Sequence, residues 1–232
     1  NEVTLKAVVK DRDPSTYQWD FGDGTSSGVL SVSDPYDLSI KHSYPDVPAG
    51  TPFIATLTVR DSEGNESSDN YNIVVKEKTI DIEINAGIDD GLWHLHKTMD
   101  RSGEATDGRW SGYSSYYASP TASALHAFQI NTHLATGDPK ENPYVEDVQR
   151  GFDYLFTQLR TVDITEPQAY GDPDTNANGL GIDSTISSRM PYELGMVMMA
   201  LAASNTPLAV SKTGPENIKE RFYYDLLTDM VD

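Results

Sequence analysis

The chain has 232 residues, enough for two modest domains, and its 36 acidic against 17 basic residues give a formal net charge of −19. A field of that sign repels nucleic-acid phosphates and anionic lipid, and no run of 18 apolar residues could insert into a membrane. The absence of cysteine excludes disulfides and thiolate metal sites. Divalent cations are the partners that this charge favours, although such a charge also simply keeps a protein soluble.

The composition changes at about residue 80. Before this point Val, Thr, Ser and Asp alternate with period two, whereas after it Ala, Leu and Met recur at helical spacing. The change predicts a β domain over residues 1–78 and a helical domain over residues 79–232. The chain begins with Asn1 and has no signal peptide, so we expect it to be a mature or excised piece of something longer.

The first half contains a series of short strands and turns. Trp19 and Phe21 alternate with polar residues, which places two aromatics on one side of a strand, and residues 22–24, Gly-Asp-Gly, then reverse the chain. The motif His-Ser-Tyr follows at residues 42–44. A strand over 53–61, a turn at 63–65 and a last strand over 71–75 complete the series.

This order of motifs closely resembles the PKD family, whose signature is a W-D-F-G-D-G turn followed by H-x-Y and a V-x-D-x-x-G hairpin. The resemblance covers residues 1–77 and implies an immunoglobulin-like β-sandwich. PKD domains are usually extracellular spacers or adhesive modules, so it also implies a secreted or cell-surface location. Asp20 and Asp23 lie in the turn, where carboxylates commonly accept backbone N–H bonds. The segment 27–41 departs from the pattern, as an extra strand or a protruding loop.

The second half is predicted to be helical. Residues 79–84 still alternate as in a strand, and Asn85 is a plausible cap for a helix that ends at Met99. Long polar loops are expected between the first and second helices and between the third and fourth. Further helices are predicted over 119–135, 143–159, 191–204 and 215–231.

Two segments repeat one plan, in which an amphipathic helix precedes a polar loop and an alanine-rich inner helix. Residues 87–95 correspond to 148–155, and residues 117–125 correspond to 192–201. The plan resembles the α/α-toroid superfamily of prenyltransferase subunits and squalene-hopene cyclases, over residues 85–232. Because so few hairpins cannot close a ring, the domain is either an open arc or continues beyond Asp232. The predicted fold class is therefore multidomain β + α, an Ig-like PKD β-sandwich followed by an α/α-hairpin domain, a partial toroid.

Oxygen-bearing side chains stand at alternate positions in the segment 172–183, and Gly179 permits a sharp turn. This pattern suits a hard cation that takes six to eight oxygens and is similar to the start of calcium loops. Thr185 stands where such loops normally carry a bidentate acid, and these residues also form ordinary loops without metal. The predicted Ca²⁺ ligands are Asp172, Asp174, Asn176, Asn178 and Asp183.

The loop 108–118 is rich in aromatic residues. Aromatic faces beside hydroxyls stack on sugars, and in a toroid such loops line the mouth of the central cavity. The alternative is that these rings pack between domains or in the core. The candidate ligand contacts are Arg109, Trp110, Tyr113, Tyr116 and Tyr117.

No catalytic constellation is evident, so no catalytic residue is assigned. His94 and His96 diverge on a helix and are interpreted as surface residues. The D-x-D-D motif of the cyclases is absent, and zinc-dependent prenyl transfer would require a cysteine ligand. Glycoside hydrolysis would need two carboxylates in one cleft, for which the candidates are Asp89, Asp90, Asp107 and Glu193.

Taken together, the sequence predicts a non-catalytic structural or interaction module at the cell surface or outside the cell. Its expected partners are other surface proteins, carbohydrate and further domains of the parent chain, with calcium as a possible stabilising ion. The alternative is an accessory domain joined to part of a secreted polysaccharide-acting enzyme with an (α/α) barrel. The two readings differ in whether acids converge in a deep cleft.

Overall fold

The computed structural model describes residues 2–10, 13–103, 107–112, 116–165, 169, 171–185 and 190–232. The chain divides into two compact units, Asn1–Lys97 and Thr98–Asp232. The predicted domain boundary at residue 78 stays a prediction. No helix in the described part of the chain is long and apolar enough to cross a bilayer.

The N-terminal unit is a sandwich of two antiparallel sheets followed by a helix. One sheet pairs β1 with β4, and the other has the strand order β3-β2-β5-β6. Helix α1 follows the last strand after a short connection. The elements are β1 (Glu2–Leu5), β2 (Pro14–Asp20), β3 (Leu30–Ser31), β4 (Ile40–Ser43), β5 (Pro52–Asp61), β6 (Glu66–Val74) and α1 (Ile80–Thr98).

Side chains from both sheets form one core, which confirms the predicted sandwich. Trp19 is 3% exposed, and its indole Nε1 donates to the carbonyl oxygen of Leu38 at 3.1 Å. The hydroxyl of Tyr44 donates to the carbonyl oxygen of Phe21 at 2.9 Å. The other core members are Leu5, Ala55, Leu57 and Val59.

The two sequence motifs of this unit contact each other directly. The ring of His42 stacks on Phe21 with centroids 3.8 Å apart, and its Nε2 lies 2.8 Å from Asp23 Oδ2. Hydrogen bonds from Thr25 and from His42 hold the pKa of Asp23 down at about 2. Asp20 accepts the backbone N–H of Gly22 at 2.9 Å, as predicted for a turn carboxylate.

The prediction of a strand over residues 79–84 is wrong, because α1 begins at Ile80. Isoleucines at 80 and 84 are one helical turn apart, so their alternation also fits a helix. The Thr79 hydroxyl accepts the backbone N–H of Ile82 at 3.4 Å, and acidic residues occupy the first turn. Thr79, rather than Asn85, therefore caps the helix.

The C-terminal unit has four helices and one β-hairpin in its described residues. Helix α2 packs against α3 and α4, and α5 packs against α4 and β8. Gly151 of α3 lies so close to α2 that a Cβ there would be 2.6 Å from a methyl group of Leu125. The elements are α2 (Ala118–Ile130), α3 (Val145–Thr157), β7 (Leu159–Asp163), β8 (Leu180–Ser184), α4 (Met190–Ala203) and α5 (Tyr223–Val231).

Three sequence expectations in this unit are wrong. The hairpin of β7 and β8 occupies a region expected to be the end of a helix and a loop. Helix α2 ends at Ile130, because Thr132 adopts a positive φ of 68°. Helix α5 begins at Tyr223 rather than at 215, since the Ser211 hydroxyl donates to the carbonyl of Ile218 and accepts the N–H of Arg221 in a non-helical loop.

Candidate functional site

The predicted aromatic loop contributes both core and surface groups. Trp110 is 4% exposed and packs against Phe128, so its indole face is covered by the protein itself. Its backbone N–H donates to the hydroxyl of Thr121 at 3.0 Å. Tyr116 and Tyr117 are half-buried, and Tyr113 lies outside the described residues.

Arg109 connects this loop to the interior of the C-terminal unit. Its guanidinium lies 4.1 Å from the ring centroid of Tyr117, which is a cation–π distance. Its Nε donates to Asp100 Oδ2 at 3.0 Å. The pKa of the Tyr154 hydroxyl is raised, chiefly because the group is buried. The nearby charge of Glu193 also raises this pKa, whereas a hydrogen bond with Arg109 lowers it.

Glu193, in the first turn of α4, is a buried carboxylate with few partners. It is 1% exposed, and its Oε2 accepts a long hydrogen bond of 3.4 Å from the Ser184 hydroxyl at the end of β8. Its Oε1 has no hydrogen-bond partner among the described residues. Buried carboxylates normally have a donor or a cation, so this atom needs an explanation. We call Arg109, Tyr117, Tyr154, Ser184 and Glu193 the Glu193 cluster.

The sequence drew attention to only part of this cluster. Arg109 and Tyr117 were candidate ligand contacts, and Glu193 was a candidate acid. Tyr154 was missed because it stands among apolar residues of α3 that have the spacing of a core face. Ser184 was missed because the β7–β8 hairpin was expected to be a loop.

The other candidate acids are paired with basic side chains. Arg150 Nη1 lies 2.6 Å from Asp107 Oδ1, and Arg150 also binds Glu146. Asp89 and Asp90 both bind Lys6, at 2.5 Å and 2.7 Å. Among the four predicted acids, Glu193 is therefore the one without a basic partner in the described chain.

The predicted calcium loop is closed by its own hydrogen bonds. Asp174 accepts the backbone N–H groups of Asn178 and Gly179, at 3.1 Å and 2.8 Å. A hard cation would therefore have to replace N–H donors at these oxygens. Each of the four loop residues accepts at least one loop N–H within 3.1 Å, namely Asp172, Asp174, Asn176 and Asn178.

The fifth predicted ligand, Asp183, lies on β8. Its Oδ2 accepts a hydrogen bond of 2.7 Å from Arg160, its partner across the hairpin. Asp229 of α5 contacts the loop instead, because its Oδ1 accepts the side-chain amides of Asn176 at 2.8 Å and Asn178 at 2.9 Å. In the described residues, no three acidic or histidine side chains group as a metal site.

A third polar feature holds α1 on the sandwich within the N-terminal unit. The Lys6 ammonium lies between Asp89 and Asp90, and its side chain is only 12% exposed. Burial alone would lower the pKa of Lys6, but the hydrogen bonds to both aspartates outweigh it and raise the pKa. His96 Nε2 lies 2.8 Å from the carbonyl oxygen of Tyr36.

The last two turns of α1 contain its buried residues. Leu92, Trp93 and His96 are each at most 5% exposed, and the rings of Trp93 and His96 stack at 4.7 Å. The interpretation of His96 as a surface residue is therefore wrong, because α1 turns this face toward the sandwich. We call Lys6, Asp89, Asp90 and His96 the α1 anchor.

A groove of about 330 Å³ lies beside the anchor, lined in part by Lys6, Lys41 and Lys97. Lys41 is paired with Glu2 at 2.9 Å, and Lys97 lies 3.5 Å from Asp37. The charge of each lysine is thus balanced by a carboxylate. The groove does not form a site for a free anion.

Comparison with known proteins identifies the N-terminal part of the chain. Residues 2–75 match the family model of the PKD domain, so a PKD domain lies at the N-terminus. The PKD1 domain of Vibrio anguillarum Epp, seen in a crystal structure, shares 22% sequence identity with this chain. The match covers 32% of this chain and 93% of that domain, with a TM-score of 0.22. The PKD1 domain from the Vibrio cholerae metalloprotease PrtV is 22% identical, with coverages of 32% and 94% and a TM-score of 0.23. No curated protein matches the chain.

Proposed function

We propose that the chain is an extracellular structural and interaction module in which the PKD sandwich fixes the helix α1 that follows it. The α1 anchor carries this proposal. A lysine with a largely buried side chain bridges two aspartates of α1, and a histidine of the same helix bonds the backbone of the sandwich. A spacer that only separated domains through a flexible linker would need no such contacts. The PKD match supports the extracellular location.

The proposal is tested with Lys6→Met, which keeps most of the side-chain volume and removes the charge. We expect the free energy of unfolding of the N-terminal unit to fall by roughly 1–2 kcal/mol, because charge-assisted hydrogen bonds are lost at partly exposed aspartates. Hydrogen exchange in residues 92–97 should accelerate at least tenfold.

The matched control for this test is Lys41→Met, which removes an ion pair whose two side chains are 70% and 57% exposed. We expect a loss below about 0.5 kcal/mol, since such pairs contribute little. Equal effects of the two substitutions, or an unchanged exchange rate in residues 92–97 of the Lys6→Met protein, would refute the anchor.

The finer proposal for the helical unit is an incomplete α/α toroid. The packing of α2 against α3 and α4 supports paired helices, while the β7–β8 hairpin is an insertion between two of them. The partners of the helical unit would be further domains of the parent chain, other surface proteins or carbohydrate.

Calcium stabilisation is proposed for the loop that carries Asp172, Asp174, Asn176 and Asn178. Its donor set is carboxylate and amide oxygen, which suits Ca²⁺. Asp229, which is paired with Arg221 at 2.7 Å, is a further acid in contact with the loop. We expect Ca²⁺ at a hundredfold excess over its Kd to stabilise the fold by about 2.7 kcal/mol. Thermal melting with Ca²⁺, with Mg²⁺ and with chelator measures this. A transition that is the same in all three, or the same response in Asp174→Ala, would contradict calcium binding at this loop.

The alternative function, action on polysaccharide, is favoured by one observation: Oε1 of Glu193 has no hydrogen-bond partner in the part of the chain that the structure describes. Glu193→Gln discriminates between the two functions. For a non-catalytic module we expect stability to rise by about 1 kcal/mol, because a poorly compensated buried charge is removed. Release of reducing ends from a polysaccharide panel should be nil in both proteins.

Polysaccharide cleavage by the unmodified chain that disappears in Glu193→Gln would establish the alternative instead. The matched control is Glu146→Gln, which removes an acid already paired with Arg150. That substitution should lower stability, since it weakens a satisfied ion pair, and should leave any polysaccharide cleavage unchanged.

A further inference from the structure

The N-terminal two-thirds of α1 has one apolar side on which no other described residue packs. Residues 83–91 are all exposed. Ile80, Ile84 and Ile88 stand one turn apart and are 72%, 54% and 41% exposed. At 3.6 residues per turn, these three and the glycines at 87 and 91 fall within an arc of about 100°. We call this arc the isoleucine face.

This face lies opposite the anchored side of α1. By the same helical geometry, Trp93 is about 180° from the centre of the isoleucine face, and Asp89 and Asp90 lie toward Trp93. Trp93 is buried and the two aspartates bind Lys6. The sandwich therefore covers one side of the helix and leaves the apolar side uncovered.

The two glycines have no role inside the described chain. A Cβ built at Gly87 or at Gly91 would meet no described atom within 4 Å. Glycine and β-branched residues both disfavour an isolated helix, so this segment is a poor helix former on its own. Glycines four residues apart become favourable when a second helix approaches closely over them.

The charge around the face favours a basic partner. Residues 80–91 contain four acidic residues and no basic ones, and Asp81 and Glu83 border the isoleucine face on its two sides. Glu83 is paired with Lys78 at 2.6 Å, but both side chains are more than half exposed, and such a pair contributes little. A second copy of this chain, with a net charge of −19, would bring the same acids together. A helix with basic borders would pair with them instead.

We propose that the isoleucine face is a docking site for an amphipathic helix that carries lysine or arginine at both borders of its apolar stripe. Binding packs the apolar stripe against Ile80, Ile84 and Ile88 and brings the partner backbone close to Gly87 and Gly91. It also stabilises residues 80–91 as helix. The inference rests on the proposed interaction role, and it specifies the class of partner for that role.

The test titrates the full chain with a synthetic 20-residue peptide that has leucine and alanine on one helical face and lysine at the borders. The control peptide has the same composition in scrambled order, so its charge is equal but its apolar stripe is lost. We expect the ordered peptide to bind at least tenfold more tightly by fluorescence anisotropy. Hydrogen exchange in residues 80–91 should be fast in the free chain and slow at least tenfold on binding.

Gly87→Leu and Ala86→Leu form a matched pair of variants. Both place leucine on an exposed part of α1; Gly87→Leu raises helix propensity, and Ala86→Leu lowers it only slightly. Position 87 lies on the isoleucine face, whereas position 86 points about 140° away from the centre of that face. We expect Gly87→Leu to weaken peptide binding at least tenfold and Ala86→Leu to leave it unchanged.

Three outcomes would overturn the docking proposal. These are equal binding of the ordered and scrambled peptides, slow exchange of residues 80–91 in the free monomer, and a dimer by sedimentation velocity that protects the same residues. If exchange in residues 92–97 still responds to Lys6→Met in that case, the anchor stands and only the docking face fails.

Discussion

Gly22→Ala is expected to destabilise the N-terminal unit by at least about 3 kcal/mol. Gly22 has a φ of 74°, and a Cβ there would lie 2.3 Å from the carbonyl oxygen of Ile54 on strand β5. Backbone strain and overpacking therefore act together, and the obstacle is main chain that cannot rotate away. Denaturant unfolding with linear extrapolation measures the loss.

Gly24→Ala in the same turn is the matched control. Its φ is 90°, but a Cβ there would meet no described atom within 4 Å, so only the backbone strain remains. We expect a loss of about 1–2 kcal/mol. Equal losses at positions 22 and 24 would show that contact with β5 does not set the cost.

Arg101→Met is expected to destabilise the C-terminal unit by about 3–5 kcal/mol. Arg101 Nη2 lies 2.7 Å from Asp147 Oδ1, and the two side chains are 12% and 2% exposed. Removing the cation leaves a buried carboxylate without its charge partner. Thermal and denaturant unfolding, followed through a probe in this unit, measure the loss.

The double variant Arg101→Met with Asp147→Leu separates the cost of an orphaned charge from the value of the pair. Replacing both ions by apolar groups should recover most of the stability, because buried ion pairs often contribute little net free energy. A double variant as unstable as Arg101→Met alone would mean that packing around Arg101, rather than the charge of Asp147, sets the loss.

The sandwich could be predicted from sequence because its determinants are local. Trp19, Phe21 and the Gly-Asp-Gly turn specify a strand and its reversal within eight residues. His42 then stacks on Phe21, and Tyr44 packs edge-on against His42. The family model match at residues 2–75 agrees with the predicted span. The short strand β3 was foreseen only as one of two options, since two residues carry little pattern.

The helical unit was harder to predict because its determinants are distant along the chain or ambiguous in period. Isoleucines at 80, 82 and 84 fit a strand as well as a helix, and only the cap at Thr79 distinguishes them. The β7–β8 hairpin is closed by a long polar loop, which gives no register signal. The pair of Arg101 with Asp147 joins residues 46 positions apart.

The candidate sites were predicted only in outline, because some of their residues come together from distant parts of the chain. Motif spacing identified the loop oxygens from Asp172 to Asn178, but not Asp229, which reaches them from α5. Asp89 and Asp90 were candidate catalytic acids, whereas in the structure both bind Lys6, which follows the first strand. Such roles require three-dimensional proximity that a single sequence does not record.

The buried turns of α1 belong energetically to the sandwich. Hydrogen exchange of the full chain, with and without Gly22→Ala, measures this by following β5 (Pro52–Asp61), residues 92–97 and α3 (Val145–Thr157) together. We expect residues 92–97 to lose protection in parallel with β5, while α3 keeps its protection. If residues 92–97 retained protection alongside α3 while β5 lost it, the sandwich would not be what holds these turns.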